Sequence, residues 1–251
     1  MSDTLIRLAV DDEGGPEIFH SVQGEGVSTG APRVFIRLSG CNLHCKWCDT
    51  AYTWNWEGTP FQHEKDEKFD LSAQTISLSV SEIADRVAAF QPVGIVITGG
   101  EPLLQQGRLP EIIAAIKAAA GPVWVEIETN GSIKPGAELA RLVNQFNVSP
   151  KLFHSGNDTD LALKPESLTV FASLPSTWFK FVIGEPEDIA EVDQLVRHLK
   201  VGADRVMLMP LGTDTPTLRQ RSAWLTDECL KRGYRFSDRL HIHLFGDTRG
   251  T

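Results

Sequence analysis

The sequence predicts an α/β fold, a partial, open β/α barrel built on a largely parallel, curved sheet. Three observations point there. From residue 33 onward, short apolar runs alternate with amphipathic segments, the pattern of repeated βα units. Along several of those runs apolar residues alternate with charged or polar ones, which gives each strand one apolar and one polar face. A chain of 251 residues that is 41% hydrophobic can also bury one substantial core, and it falls in the range where a barrel or open sheet forms one domain.

Strands are expected near residues 33–39, 94–98, 123–128, 145–149, 177–183, 204–209 and 240–245. Helices are expected between them. The first covers 81–90, with Ser81 as its cap and Glu82 behind it, and the second covers 108–120 and stops at Gly121-Pro122. The third covers 186–200, before Gly202, and the fourth covers 215–232, before Gly233. The whole chain, 1–251, reads as a single domain with an insertion at about 53–80. There, Trp54, Trp56 and Phe61 precede a charged stretch, His63 to Lys68, and a Ser/Thr-rich run. The charges read as a solvated excursion, and the tryptophans as a cover that keeps water from a reactive centre.

Side-chain phase along the strands carries functional information. In 33–39, Val34, Ile36 and Leu38 share one face and Arg33, Phe35, Arg37 and Ser39 the other. In 123–128, Val123, Val125 and Ile127 oppose Trp124, Glu126 and Glu128; in 240–244, Leu240, Ile242 and Leu244 oppose His241 and His243. If helices cover the apolar faces, the charges point into the concave interior. A closed barrel fills that space with branched aliphatics, so a polar interior predicts an open barrel with room for ligands. The alternative is that these polar residues pair with one another or sit at strand ends.

The formal charge of −9 argues against general affinity for nucleic acid, and no lysine or arginine block stands out against it; Arg33, Arg37 and Lys46 cluster near the cysteine loop, either as ordinary solvated or paired charge or as a local site for an anionic substrate or electron donor. Residues 1–13 lack the basic start and apolar stretch of a signal peptide, and no apolar run approaches the roughly 20 residues that span a bilayer. A cytoplasmic location follows from the cysteines as well. Three of the four are crowded into Cys41, Cys45 and Cys48, which suits a reducing compartment better than a disulfide framework.

That C-x3-C-x2-C triplet supplies three thiolates from one loop. A [4Fe-4S] cluster used only for electron storage takes four cysteines, so three leave one iron open to a small molecule. The fourth cysteine, Cys229, reads as a small buried side chain of a distant helix. A zinc knuckle using Cys41, His44, Cys45 and Cys48 is the competing reading, weakened because zinc sites usually draw ligand pairs from two separated segments. Thr98-Gly-Gly-Glu-Pro102 follows an expected strand, which puts a glycine pair at the carboxyl end where α/β sheets bind ligands.

The triplet and the Gly-Gly-Glu-Pro element together resemble the radical S-adenosylmethionine superfamily. Phe19-His-Ser-Val-Gln-Gly-Glu-Gly26, Trp47-Cys-Asp-Thr50, Glu128-Thr-Asn-Gly131, Ser149-Pro-Lys151 and a late His241 narrow the resemblance to the 7-carboxy-7-deazaguanine synthase family, over most of the chain. The resemblance implies the radical S-adenosylmethionine fold and a lyase. It would convert 6-carboxy-5,6,7,8-tetrahydropterin to 7-carboxy-7-deazaguanine with loss of ammonia, in queuosine-type 7-deazapurine biosynthesis. It further implies a [4Fe-4S] cluster, S-adenosylmethionine and Mg2+ as cofactors, a reductant such as flavodoxin, and a homodimer.

By the same resemblance Cys41, Cys45 and Cys48 hold the cluster and Thr50 contributes to Mg2+. Trp47, Cys48, Asp49, Gly100, Ser149, Pro150 and Lys151 line S-adenosylmethionine. Met209, Pro210, Leu211 and Gly212 do so through their backbone, because Met209 stands where the family has Gln. Val22, Gln23, Gly24, Glu25, Arg37, Thr98, Glu128 and His241 meet the pterin. Arg37 suits a carboxylate through its planar fork of donors, while Gln23, Glu25 and Glu128 suit the donor edge of an aminopyrimidinone. The tail 245–251 carries no assignment. The alternatives are a glycyl-radical-enzyme activase, which would need an open face for a polypeptide and often has extra cysteines, and a zinc-stapled binding module without catalysis.

Overall fold

The computed structural model describes residues 5–251; of the N-terminal stretch read for a signal peptide, residues 1–4 lie outside the described residues. The strands are β1 (Ile6–Ala9), β2 (Ile18–Val22), β3 (Pro32–Leu38), β4 (Thr75–Leu78), β5 (Gly94–Gly99), β6 (Trp124–Thr129), β7 (Gln145–Val148), β8 (Thr177–Ile183), β9 (Val206–Pro210) and β10 (Arg235–Phe236). The helices are α1 (Leu71–Gln74), α2 (Val80–Ala88), α3 (Leu109–Ala120), α4 (Ala137–Leu142), α5 (Thr159–Ala162), α6 (Pro165–Ser173), α7 (Asp188–Leu199), α8 (Thr215–Arg232) and α9 (Leu240–Phe245).

Parallel strands need a crossover, and helices supply most of the crossovers here. The parallel part of the sheet runs β3-β5-β6-β7-β8-β9-β10. β1, β2 and β4 join antiparallel beyond β3, so the sheet ends at β4 and β10 and stays unclosed. This is the open α/β barrel expected from the alternation.

Strand phase decides where the core sits. Val34, Ile36 and Leu38 of β3, Ile95 and Ile97 of β5, and Val125 and Ile127 of β6 pack with Ile83 and Val87 of α2 and with Ile112, Ile113 and Ile116 of α3. Phe179, Phe181 and Ile183 of β8 belong to the same cluster. Each such side chain contributes about 1.5–3 kcal/mol by leaving water. α2 is capped by Ser79 rather than Ser81. The Ser79 hydroxyl accepts from the Glu82 amide and the Glu82 carboxylate accepts from the Ser79 amide, a reciprocal cap that satisfies two end groups at once.

The expected strand at 240–245 is instead α9. The sheet ends earlier, at the two-residue β10 paired to β9, after which the Ser237 amide donates to Leu208 O. Leu-His-Ile-His-Leu satisfies a period of two, but the Leu240 amide is taken by Gly24 O and Arg239 is drawn inward by Glu25 and Asp49. Those tertiary contacts outweigh local propensity. The phase inferred for His243 fails with it: His243 lies on the surface beside Asp238, 3.2 Å away.

Residues 53–80 fasten to the cysteine loop. The His63 ring hydrogen-bonds Cys48 O at 2.8 Å, the Glu64 amide donates to Lys46 O at 2.8 Å, and β4 pairs with β1. The charges from Glu64 to Lys68 stay exposed.

Candidate active site

The carboxyl ends of the parallel strands open into a cavity of about 410 Å³, and the cysteine loop forms one of its walls. The loop leaves β3 at Gly40 and is pinned by Lys46 N to Ser155 O, Cys48 N to Cys45 O and His44 N to Asn157 Oδ1. Each sulfur already has a polar neighbour. Leu43 N donates to Cys41 Sγ at 3.4 Å, Asn157 Nδ2 donates to Cys45 Sγ at 3.2 Å, and the Thr50 hydroxyl lies 3.5 Å from Cys48 Sγ. Burial pushes the Cys45 thiol up to about 11 and raises Cys41 and Cys48 as well. One buried and two half-buried thiols with N–H and O–H groups beside sulfur fit an iron-sulfur cluster, whose positive charge would favour the thiolates.

The single-ion alternative fits less well. His44 stacks on Phe61, with ring centroids 3.3 Å apart, and lines a separate outer groove with Asn42 and Asp158 instead of the cavity. Trp54, 2% exposed, does line the cavity beside the cysteines, which suits the shielding role expected for it.

Beside the cysteines lies the end of β5. A Cβ on Gly100 would stand 2.2 Å from Gly40 O and 3.0 Å from Cys41 Cβ, so only glycine lets this backbone approach the cluster loop. Glu101 turns inward and accepts from the amides of Leu103 and Asn130 and from the Thr129 hydroxyl, which ties the end of β5 to the end of β6. Ser149, Lys151, Met209, Pro210 and Leu211 close this side of the cavity. The Lys151 ammonium lies 3.0 Å from Ser149 Oγ and 5.7 Å from the centre of the Trp47 ring.

The cavity also holds a cage of charges. Lys180 of β8 reaches Glu25 at 2.5 Å and Glu128 at 3.0 Å. Arg239 donates to Glu25 at 3.0 Å, to Asp49 and to Gly212 O at 2.6 Å. Burial by itself would raise the Glu25 carboxyl, but Lys180 and Arg239 overcome it and hold the group below the usual carboxylate range. For Glu128 burial wins over Lys180 and the carboxyl is raised. Burial lowers His241, so the ring is neutral at pH 7. Arg37 lies a little apart, its Nε on Glu17 at 2.6 Å.

All eight residues expected at the pterin, Val22, Gln23, Gly24, Glu25, Arg37, Thr98, Glu128 and His241, line this one cavity. Of those expected around S-adenosylmethionine, Trp47, Cys48, Asp49 and Gly100 line it together with the closing set above, whereas Pro150 and Gly212 do not. Arg33 and Glu126 are not in it either. They pair at 2.7 Å behind the wall, which is the mutual pairing weighed for polar strand residues. Sequence reasoning passed over Lys180, Arg239, Tyr52 and Arg249, all of which line the cavity. Lys180 had a legible signal, as the one charge in Thr177-Trp-Phe-Lys-Phe-Val-Ile183 and out of phase with the core-facing Phe179 and Phe181. Arg239 had none, because it precedes a segment misread as strand.

Residues 22–149 match the family described as 4Fe-4S single cluster domain. A 7-carboxy-7-deazaguanine synthase of Pyrobaculum aerophilum is 37% identical over 236 residues, covering 93% of this chain and 95% of that protein. One from Rhodopirellula baltica is 36% identical over 248 residues, covering 94% and 87%. The crystal structure of QueE from Escherichia coli shares the fold, with a TM-score of 0.66 at 23% identity over 94% of this chain and 95% of that one. With a loop of three cysteines, a polar cavity and relatives at this identity along nearly its whole length, the chain belongs to the 7-carboxy-7-deazaguanine synthase family.

Proposed function

We propose that this chain is a radical S-adenosylmethionine lyase that contracts 6-carboxy-5,6,7,8-tetrahydropterin to 7-carboxy-7-deazaguanine and releases ammonia, a step of queuosine-type 7-deazapurine biosynthesis. One observation carries the reading: the cysteine triplet and the charged cage line the same cavity. When bound, the [4Fe-4S] cluster and S-adenosylmethionine would supply the radical chemistry that activates a C–H bond of the pterin.

The chain's own residues bind, orient and exclude water. Cys41, Cys45 and Cys48 hold the cluster, and backbone at Gly100 with Ser149 and Lys151 lines the cofactor. Glu25, Glu128 and Gln23 accept from and donate to the aminopyrimidinone edge, and Arg37 receives the substrate carboxylate. His241, neutral and beside Glu25 at 3.9 Å, contributes a ring nitrogen at the same edge. Thr50 offers its hydroxyl to Mg2+. Substrate and water would complete the octahedral oxygen shell that this hard cation prefers.

The same reading takes residues 1–251 as one domain working as a homodimer in the cytoplasm, with a reductant such as flavodoxin as partner. No helix of the described residues is long and apolar enough to cross a membrane, and the charge of −9 disfavours nucleic acid. The test is anaerobic incubation of cluster-reconstituted protein with the carboxypterin, S-adenosylmethionine and reductant. Mass spectrometry should find the deazaguanine product. A protein with a full cluster that cleaves S-adenosylmethionine but leaves the pterin intact would overturn the assignment.

A further inference from the structure

Lys180 is 3% exposed in the middle of β8, whose neighbouring residues Phe179 and Phe181 point into the apolar core while Lys180 points into the cavity. Its ammonium touches one oxygen of Glu25 and one of Glu128. The remaining oxygen of each carboxylate has its own donors. On Glu25 it is Arg239 Nε at 3.0 Å; on Glu128 they are Asn147 Nδ2 at 2.8 Å and Gln23 Nε2 at 3.3 Å. Two glutamates from unrelated segments, the loop after β2 and the end of β6, are thus fixed at one spacing by a single cation.

We propose that Lys180 is a positioning residue for substrate recognition: it locks Glu25 and Glu128 into a paired-carboxylate platform for the amino-pyrimidinone edge of the substrate. The inference rests on the function proposed above. Two carboxylates facing one site repel, and without a cation between them one takes up a proton and turns from acceptor to donor. With Lys180 in place both present acceptor lone pairs to the N–H groups of the ligand. A buried lysine is costly unless both partners are present, and a leucine at this position would pack without that cost. The other charged groups around the pair are Arg239 and His241 beside Glu25, Asp49 beyond Arg239, and Glu126 behind Gln23 and Asn147.

The experiment compares wild type with Lys180→Met, each reconstituted with its cluster. The variant should keep the cluster absorbance and the KM for S-adenosylmethionine. Its KM for the carboxypterin should rise about tenfold or more, the scale of losing one partner of a buried charge pair. The acid limb of kcat/KM for the pterin should also move to higher pH, a change that simple loosening of the fold would not produce. If Lys180→Met does not hold its cluster, the double variant Lys180→Met with Glu128→Gln is read against Glu128→Gln alone, over which its pterin KM should rise further because Glu25 also loses its clamp. An unchanged pterin KM beside an active wild type overturns the inference alone, as does an equal rise in both KM values. Failure of both variants to fold assigns Lys180 to folding and overturns it as well. A wild type with full cluster and no pterin turnover removes the proposed function, and the inference with it.

Discussion

Arg37 Nε donates to the Glu17 carboxylate at 2.6 Å, and that carboxylate has no exposed side-chain surface while Arg37 keeps 16%. Glu17 also accepts from the Tyr52 hydroxyl, at 3.1 and 3.0 Å to its two oxygens. One edge of the guanidinium is thereby committed to the protein and the other is left for a ligand. Arg37→Ala should raise the pterin KM about tenfold to a hundredfold, as loss of a charge-assisted contact of about 1.5–3 kcal/mol does, with the KM for S-adenosylmethionine unchanged. Steady-state kinetics on both substrates checks this; equal effects would assign Arg37 to folding.

Gly24 and His241 are in closer contact than any side chain would allow. A Cβ on Gly24 would lie 2.0 Å from His241 Nδ1 and 2.7 Å from its Cγ. Gly24→Ala should push the ring out of place and weaken pterin turnover, while cluster colour and S-adenosylmethionine binding persist. Loss of the brown colour in this variant would show that the contact serves folding instead.

Acid should disable the cage through Glu128 first. Its carboxyl is raised by burial above the ordinary 4.5, whereas Glu25 is held below it. As pH falls, Glu128 therefore takes up its proton before Glu25 does. kcat/KM for the pterin should decline with an acid limb above pH 4.5, and Glu128→Gln should remove that limb along with much of the activity. For stability the sign differs by group. Glu25 contributes stability that is fully present above pH 4.5 and is lost as pH falls toward its depressed value.

Thr50→Ala should weaken the dependence of turnover on Mg2+ and leave the cluster intact, because the hydroxyl lies 3.5 Å from Cys48 Sγ but is not a sulfur ligand. Titration of activity against Mg2+ reads the effect directly. An unchanged titration curve would remove Thr50 from the ion.

Where segments are long and strictly patterned, the sequence was legible. β8 and α8 occupy the expected 177–183 and 215–232, and the other parallel strands from β3 to β9 fall within two residues of expectation. β1 and β4 were not legible, because a four-residue strand such as Ile6–Ala9 is defined by antiparallel pairing with β4 almost 70 positions later, a non-local interaction with no local signature. The cavity residues carried by motifs could be read from the motifs. Lys180 required following side-chain phase through an otherwise largely apolar strand. Arg239 and the α9 segment required the ion pairs to Glu25 and Asp49, which no window of sequence contains.

The proposed function requires one iron of the cluster to be open to the cofactor, and Mössbauer spectra of the reconstituted protein before and after addition of S-adenosylmethionine test it most directly. With Cys41, Cys45 and Cys48 as the only protein ligands, one iron of the [4Fe-4S] cluster should shift its signal when the cofactor's amino and carboxylate groups bind. A cluster whose irons all remain unchanged on addition, or a protein that assembles no such cluster, would contradict it.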